Sequence, residues 1–304
     1  MSVRTSPGNS TAVPQLRTQA PGFYRMLLGD FVITALCDGT ALHTDQRLTN
    51  IPRERIDKLL AESHVPLPVE TSINAYLIHT GARLVLVDTG AGGLFGPIAG
   101  KLSLSLRAAG YQPEQIDTIL LTHIHGDHSG GLVVDGQQVF PQAIVHVDRH
   151  DSEFWLSDAQ LEKAEGEMKK RFQAARASLG PYLAEGRLKT FEADTELMPG
   201  IRALSARGHT PGHCLYLVES QGQKLVLWGD LVHVAAVQLP EPSATVEYDV
   251  DPRAAADQRA RVLADAARQG YWVAADHISF PGLGHVRAQG SGYQWVPINY
   301  SALH

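Results

Sequence analysis

The chain has 304 residues, with 26 Lys and Arg, 32 Asp and Glu and 14 His, and its formal net charge is −6 at pH 7. A hydrophobic content of 44% is enough for a sizeable core, which excludes disordered and collagen-like classes. The acidic balance argues against a protein that binds nucleic-acid phosphates, and no apolar run reaches the ~18 residues of a membrane span.

The first 20 residues are rich in Ser, Thr, Pro and Gln and lack the apolar core of a signal peptide. They predict a flexible N-terminal arm over residues 1–20, followed by a single domain over residues 21–304. We expect a cytoplasmic protein, although a periplasmic or secreted protein whose signal had been removed would show the same pattern. With only two cysteines a disulfide scaffold is excluded, and Cys37 and Cys214 are predicted to be buried thiols.

Two segments of the chain are similar to each other. Residues 76–88 and 216–230 each contain a strand, a turn with Gly, a second apolar strand and a final Asp. Each is followed by a further strand, at residues 118–122 and 271–275, that leads to a histidine. The pattern predicts two similar β-rich halves packed sheet against sheet, unless the two hairpins simply look alike.

Helices are predicted in three regions between the strands, at residues 102–109, 151–179 and 251–270. The second region holds one or two helices, with a break near Gly166. The third begins with Asp251 as the N-cap and Pro252 at the first helical position, and it ends at Gly270. Strands interleaved with helices predict an α/β protein in which helices cover the outer faces of two central sheets.

Four side chains of the types that bind metals lie within six positions after the strand at residues 118–122. They are His123, His125, Asp127 and His128. In extended backbone, His123 and His125 share a face and can reach one metal ion, while the chain turns after them and directs Asp127 and His128 elsewhere, to a second ion. A coincidental cluster would bury polar groups without partners, so these residue types predict a site for a cation such as zinc.

Three further candidate ligands lie near the ends of strands in the second half of the chain. His209 lies in the turn Gly-His-Thr-Pro-Gly-His, Asp230 follows a short apolar strand, and His277 follows the strand at residues 271–275. Ligands at the ends of strands from both halves can converge at one edge of a sandwich. His213, which ends the turn, is interpreted as a turn residue.

The order and spacing of these motifs resemble those of the metallo-β-lactamase superfamily over residues 71–285. Further stretches, at residues 24–30, 154–157, 234–238 and 280–285, resemble methyl parathion hydrolases and their lactone-hydrolysing relatives, such as dihydrocoumarin hydrolases. The resemblance implies an αββα four-layer sandwich, a homodimer and two divalent metal ions. Zn²⁺ is expected, with Mn, Co or Fe as alternatives.

The resemblance also implies a role for each candidate. His123, His125 and His209 would hold one ion, Asp127, His128 and His277 the other, and Asp230 would bridge them. Asp88 would orient a ligand histidine, with a turn-capping role as the alternative. The two ions would share a water, lower its pKa and generate the hydroxide that attacks the substrate. Asp127 is expected to shuttle a proton, a hypothesis that fails if Asp127→Ala keeps both metals and its turnover.

Substrate choice depends on the side chains around the metals. Phe95, Trp155 and Phe172 match pocket residues of the parathion-hydrolase branch and suit an aryl or alkyl group of an uncharged substrate, with a plain core role as the alternative. His233 and Tyr248 replace smaller apolar residues of those enzymes, which makes the pocket smaller and more polar and places hydrogen-bond donors near the reacting centre. The alternative for His233 is a loop residue that faces solvent. We therefore expect hydrolysis of lactones and aryl esters, with phosphotriester cleavage as a side activity.

Other functions fit less well. An organophosphate hydrolase is favoured by the overall similarity but opposed by the two polar replacements. A β-lactamase would often lack the aspartate that is intact in this motif, and a nuclease fits poorly with the charge of −6. A redox protein of this family would need an additional flavin domain, and a non-catalytic protein would lack some of the seven candidate ligands.

Overall fold

The computed structural model describes residues 15–303. Its strands are β1 (Phe23–Leu28), β2 (Phe31–His43), β3 (Leu48–Thr49), β4 (Val69–His79), β5 (Leu84–Val87), β6 (Thr118–Leu120), β7 (Val133–Val134), β8 (Gln137–Gln138), β9 (Ile144–Asp148), β10 (Leu188–Phe191), β11 (Thr195–Met198), β12 (Ile201–Ser205), β13 (Cys214–Ser220), β14 (Gln223–Leu227), β15 (Thr245–Val246), β16 (Trp272–Ala274), β17 (Leu283–Gln289) and β18 (Gly292–Pro297). Its α-helices are α1 (Arg53–Glu62), α2 (Leu102–Ala108), α3 (Gly126–Ser129), α4 (Arg149–Trp155), α5 (Asp158–Lys163), α6 (Gly166–Ala184), α7 (Ala235–Gln238) and α8 (Pro252–Gln269).

The strands form two seven-stranded sheets. The N-terminal sheet has the order β1-β2-β4-β5-β6-β9-β10, and the C-terminal sheet has the order β11-β12-β13-β14-β16-β17-β18. The similar hairpins occupy corresponding places, because β4 and β5 pair antiparallel before the parallel strand β6, and β13 and β14 do the same before β16. The two halves predicted from the sequence therefore share their central topology.

Alternating side chains give each sheet two apolar faces. On β4, Tyr76 and Ile78 pack against the other sheet, whereas Ala75 and Leu77 pack toward the outer helices. The outer face of the N-terminal sheet buries side chains of α2, α4 and α6, and that of the C-terminal sheet buries side chains of α8. This arrangement is the αββα four-layer sandwich expected from the sequence.

The helix predictions were right in position and less accurate in number. Helix α8 begins as predicted, with the side chain of Asp251 accepting a hydrogen bond from Ala254 N at 3.0 Å, and it ends at Gly270 in the left-handed conformation. The region 151–179 contains three helices rather than one or two. Ser157 starts an additional helix by accepting a hydrogen bond from Gln160 N, which the sequence analysis overlooked.

Three other expectations concern burial and the chain ends. Cys214 is buried, but Cys37 is only half-buried, and neither forms a disulfide. Most of the predicted arm lies outside the described residues, and β1 begins at Phe23, close to the predicted domain boundary. Within residues 15–303, no helix combines the length and the apolar character that crossing a bilayer requires.

Candidate metal centre

The N-terminal half contributes one continuous loop to the site. Strand β6 ends at Leu120, two residues earlier than predicted, and the chain then bends through His123 before His125 precedes the short helix α3. The rings of His123 and His125 nevertheless lie together, with centroids 4.7 Å apart. Asp127 and His128 lie on α3, one turn further on, as the motif predicted.

The C-terminal half contributes three separate segments. His209 lies between β12 and β13, Asp230 follows β14, and His277 follows β16. Gly229, immediately before Asp230, has a φ of +52°, and a Cβ there would lie 2.7 Å from His213 Nε2. Only glycine therefore fits at the position that turns the chain toward the site.

Seven side chains predicted from the sequence lie together in two groups. One contains His123, His125, His209 and Asp230, and the other contains Asp127, His128 and His277. Within each group, one nitrogen or carboxylate oxygen per residue lies within 4.8 Å of the others. In the first group, His125 Nδ1 is 3.1 Å from His123 Nε2 and 3.0 Å from His209 Nε2.

Asp230 faces both groups with different oxygens. Its Oδ2 lies 3.1 Å from His209 Nε2 and 3.5 Å from His123 Nε2. Its Oδ1 lies 3.0 Å from His128 Nε2 and 2.9 Å from His277 Nε2. One carboxylate thus connects the two clusters, which is the arrangement that a bridging ligand requires.

The polar atoms of this centre are arranged as ligands for a pair of divalent ions rather than as hydrogen-bond partners of one another. His128 Nε2 and Asp230 Oδ1 are buried and 3.0 Å apart, yet neither has a hydrogen-bond partner within the described chain. Buried polar atoms without partners are costly, and imidazole and carboxylate are the ligands that zinc prefers. Burial lowers the pKa values of His123 and His125 well below the ordinary value, which keeps both in the neutral form that binds a metal.

The other ligand histidines lie under stronger influence of carboxylates. Burial lowers the pKa of His209, but Asp230 and Asp249 outweigh it and raise that pKa to about 9. Burial also lowers the pKa of His277, and Asp230 and Asp127 raise it to about 9. A divalent ion would have to displace these protons, so the same carboxylates that hold protons in the metal-free protein can hold metals.

Comparison with known proteins identifies the family of this site. A family model described as "Metallo-beta-lactamase superfamily" matches residues 68–277, more than half of the chain. The chain belongs to the metallo-beta-lactamase superfamily. The ligand set described above lies at its sheet edge, where the strand ends of both halves meet.

Relatives within the superfamily include lactonases. An N-acyl homoserine lactonase of a Bacillus species is 31% identical over 173 residues, which cover 50% of this chain and 60% of that protein. The match thus spans less than two thirds of the relative's length. Among solved structures, the hydrolase AbOPH "in beta lactamase superfamily" is 38% identical with a TM-score of 0.89, and it covers 94% of this chain and 100% of its own. AidC, described as a dizinc quorum-quenching lactonase, is 25% identical with a TM-score of 0.85, and it covers 93% and 99% of the two chains.

In this metallo-beta-lactamase fold, carboxylates behind the histidines orient the rings. Asp88 Oδ2 lies 2.9 Å from His128 Nδ1, and the same carboxylate accepts hydrogen bonds from the backbone and hydroxyl of Thr122. Asp88 therefore contacts a candidate ligand histidine, as the resemblance implied, and also fixes Thr122 in the loop after β6. Asp249 Oδ1 lies 2.7 Å from His209 Nδ1 in the same way.

Several of these supporting groups were not predicted. Asp249 has no distinctive motif around it, and only the fold brings it to His209. Asp276 has no signal beyond its place before His277, although it lies 3.3 Å from His128 Nδ1 and burial raises its pKa. Asp151 accepts hydrogen bonds from Ile124 N at 2.7 Å and Gly212 N at 2.6 Å, and its place at a predicted helix start was the only signal.

The three aromatic residues predicted to line the pocket differ in burial. The ring of Trp155 lies 5.3 Å from that of His125, and Phe172 packs on Trp155 at 4.9 Å. Both are buried beneath the outer helices, so they belong to the core, the alternative role that the sequence left open. Phe95 is 40% exposed and makes no ring contact with them in the part of the chain described. Trp228, on the other side of the sandwich, is buried in the core and packs on Trp295.

The predicted polar residues lie at the metal centre, but their hydrogen bonds differ from expectation. His233 was expected to offer a donor to the substrate, whereas its Nε2 lies 2.9 Å from Asp230 Oδ2. Tyr248 packs on His233 at 5.2 Å, and its hydroxyl lies 3.3 Å from Nδ1 of His43, a buried histidine that the sequence analysis missed. His233 therefore supports the position of the Asp230 carboxylate.

Proposed function

We propose that this protein is a dinuclear, zinc-dependent hydrolase that cleaves lactones and aryl esters and acts on phosphotriesters as a side activity. The observation that carries the proposal is the position of Asp230, whose two oxygens face two separate groups of ligands. The names of its relatives support the substrate class, because the Bacillus relative and AidC are both called lactonases. AidC is also described as dizinc, which supports the choice of metal.

The residues of the site have distinct roles in this proposal. His123, His125 and His209 would hold one ion, Asp127, His128 and His277 the other, and Asp230 both. When bound, two such ions supply an activated water and stabilise negative charge that develops on the substrate. The side chain of Asp127 is 16% exposed, compared with 2% for Asp230, so Asp127 is the carboxylate that can exchange a proton with solvent. Trp155 packs behind His125 and excludes water from that side of its ring.

The test is a substrate panel with the metal-loaded protein. An aromatic lactone, an acyl homoserine lactone, an aryl phosphotriester and a cephalosporin are compared by kcat/KM, and the bound metal is measured on the same sample. We expect two ions per chain and the highest kcat/KM for a lactone. A single bound ion, or hydrolysis that survives chelation, contradicts the proposal, and a preference for the phosphotriester or the cephalosporin supports the corresponding alternative.

A variant at the pocket tests the preference among substrates. We expect His233→Leu to raise phosphotriester turnover relative to lactone turnover, because it replaces a polar side chain beside Asp230 by an apolar one. His285→Leu is the control. His285 lies on β17, packs on the ring of Trp272 and donates a hydrogen bond from its ring to the carbonyl of Tyr271. An unchanged ratio of the two activities in His233→Leu refutes this interpretation of the pocket.

A homodimer and a cytoplasmic location are also proposed, as the resemblance and the N-terminal composition suggested. Sedimentation equilibrium of the metal-loaded protein tests the first. Fractionation of cells that produce the whole protein tests the second.

A further inference from the structure

One arginine beside the metal centre has no hydrogen-bond or ion-pair partner among residues 15–303. Arg171 lies near the start of α6, next to Phe172, and is half-buried. Within residues 15–303, its guanidinium donates no hydrogen bond and has no carboxylate within 4.0 Å. Its neighbours on the same helix differ, because Lys170 pairs with Glu167 at 2.6 Å and Arg176 pairs with Asp158 at 2.8 Å.

The position of Arg171 connects it to the reacting centre. Its guanidinium carbon lies 5.5 Å from the centre of the Tyr248 ring, a cation–π distance. The same ring lies 5.2 Å from His233 and 5.8 Å from the ligand His209. The positive charge of Arg171 also contributes to lowering the pKa of His125, which places the guanidinium within electrostatic reach of the metal ligands.

Among residues 15–303, the charges around this guanidinium include no close anionic partner. Glu167, one turn before it on α6, is exposed and bonds to Lys170, so it attracts Arg171 only at longer range. Arg47, whose charge also acts on Tyr248, pairs with the exposed Glu247 at 3.7 Å. Two divalent ions in the adjacent centre would add positive charge. The planar set of donors of Arg171 therefore remains available for an anion, and it matches a carboxylate.

We propose that Arg171, held over the ring of Tyr248, binds a carboxylate of the substrate that is remote from the bond being cleaved. The inference rests on the proposed function and narrows its substrate class to lactones and esters that carry such an anionic group. It replaces the expectation of an uncharged substrate, which was made from Phe172 and the other aromatic residues without attention to the neighbouring arginine.

Matched substrates test the proposal. The 3- and 4-carboxyphenyl acetates are compared with the corresponding carbamoylphenyl acetates, which have the same shape and no charge. Because a hydrogen bond to a charged group is worth about 1.5–3 kcal/mol, we expect Arg171→Gln to lower the carboxylate-to-carboxamide ratio of kcat/KM about 10- to 100-fold. The loss should lie mainly in KM, since the contact is made equally in the ground and transition states.

Two further variants serve as controls. Arg171→Lys retains the charge but not the planar set of donors, so its ratio should lie between those of the native protein and Arg171→Gln. Lys169→Gln removes one positive charge from an exposed position two residues away, and its ratio should equal that of the native protein. Equal losses for charged and neutral substrates in Arg171→Gln, or the same loss in Lys169→Gln, overturn the proposal.

A binding measurement separates this inference from the proposed function. Terephthalate and its monoamide, which differ by one carboxylate, are titrated calorimetrically into the metal-loaded protein. The native protein should bind terephthalate at least tenfold more tightly than the monoamide, and Arg171→Gln should remove the difference. If the protein hydrolyses none of the panel, the proposed function fails while this titration still decides the role of Arg171. If it hydrolyses neutral esters and Arg171→Gln changes no preference, only the inference fails.

Discussion

Two equivalent tyrosines, one in each half of the molecule, donate hydrogen bonds to the backbone of the other half. Tyr76, at the start of the first similar hairpin, donates a hydrogen bond to the carbonyl of Ala275 in the other half at 2.8 Å. Tyr216, at the start of the second, donates one to the carbonyl of Leu121 at 2.6 Å. Both carbonyls lie two residues before a histidine of the metal centre, so each half fixes the strand end that carries ligands of the other.

The halves differ in how they position those ligands. The N-terminal half supplies four candidate ligands from one loop, whereas the C-terminal half supplies three from segments that only tertiary packing brings together. Local backbone therefore determines most of the N-terminal geometry, and the packing of the sandwich determines the C-terminal geometry. Asp230, which contacts ligands of both halves, is the residue on which the two arrangements depend.

Removal of that connection should have the largest effect. We expect Asp230→Asn to lose metal from both groups and to lower kcat/KM by more than the roughly 100-fold that marks the upper range for supporting residues. Metal analysis and kinetics on the same sample measure both. Asp135→Asn, at an exposed turn with a φ of 50° that Asn tolerates, is the control. Two ions retained per chain in Asp230→Asn would show that the carboxylate does not bridge.

Protonation should distinguish the candidate ligand histidines next. In the metal-free protein, neighbouring carboxylates outweigh burial and raise the pKa of His128 well above the ordinary value and those of His209 and His277 to about 9. Burial lowers the pKa values of His123 and His125 below the ordinary value. Between pH 6.5 and 9, metal binding must therefore displace protons from the first three histidines, and affinity should rise with pH by up to about tenfold per unit for each proton.

The stability of the metal-free protein should change in the opposite direction. A histidine whose pKa is raised by folding stabilises the folded state fully below its unfolded pKa of about 6.5, and this contribution is lost as the pH rises through 9. Titration with a competing chelator at several pH values, together with melting curves of the metal-free protein, measures both trends. A flat affinity over this range would contradict the assignment of His209 and His277.

The supporting carboxylates offer a direct comparison of the halves. Asp88→Asn and Asp249→Asn should each weaken metal affinity about 10- to 100-fold, because each removes the partner that orients a ligand histidine. The loss should be larger for Asp88, which also holds the backbone of Thr122 and so the loop with four ligands. A chelator competition with both variants decides the order, and a larger loss for Asp249→Asn would mean that local loop geometry matters less than packing.

Asp151 joins the two ligand loops directly. Its two oxygens accept backbone hydrogen bonds from Ile124, between two N-terminal ligands, and from Gly212, in the turn that holds His209. Asn can accept only one of the two, so Asp151→Asn should lower the free energy of unfolding by about 1–3 kcal/mol. Denaturant unfolding of the metal-loaded protein measures it, with Asp135→Asn again as control. An unchanged midpoint would show that the loops hold their positions independently.

The difference between the halves also explains what the sequence could predict. The motif from His123 to His128 was enough to predict a metal site, because its four candidate ligands lie within six residues of one another. His209, Asp230 and His277 could be joined to it only through strand ends and a family resemblance. Asp249 lies in a segment without a recognisable motif and reaches the site only through tertiary packing, so no local pattern predicted it.

The sandwich was predicted from the same kinds of pattern. The similar hairpins predicted the two sheets, and the capping residues predicted the last helix. Both patterns depend on residues only a few positions apart. The number of helices between residues 149 and 184 was not predicted, since Ser157 acts as a cap only when the preceding helix ends beside it. Pocket hydrogen bonds such as that of His233 depend on contacts between separate segments, which no local pattern contains.

The smallest expected effects are those of replacing the two tyrosines by phenylalanine, and the two halves should again differ. The carbonyl of Ala275 also accepts a hydrogen bond from the side chain of Asn74 at 3.0 Å, so Tyr76→Phe leaves it with a partner. Within the described chain, the side-chain donor that remains for the carbonyl of Leu121 is the thiol of Cys214, at 3.9 Å.

We therefore expect Tyr76→Phe to cost about 0.5–1.5 kcal/mol of unfolding free energy, the net value of one hydrogen bond, and Tyr216→Phe to cost about 1–3 kcal/mol, the penalty for a buried group left unpaired. Denaturant unfolding of both variants and of the double variant gives the comparison. Because the two hydrogen bonds share no partner, their costs should add. Equal costs for the two single variants would show that the tyrosine hydrogen bonds are as symmetric as the topology of the two halves. A cost of the double variant well below the sum would show that the loss of one tyrosine hydrogen bond already frees the strand end held by the other.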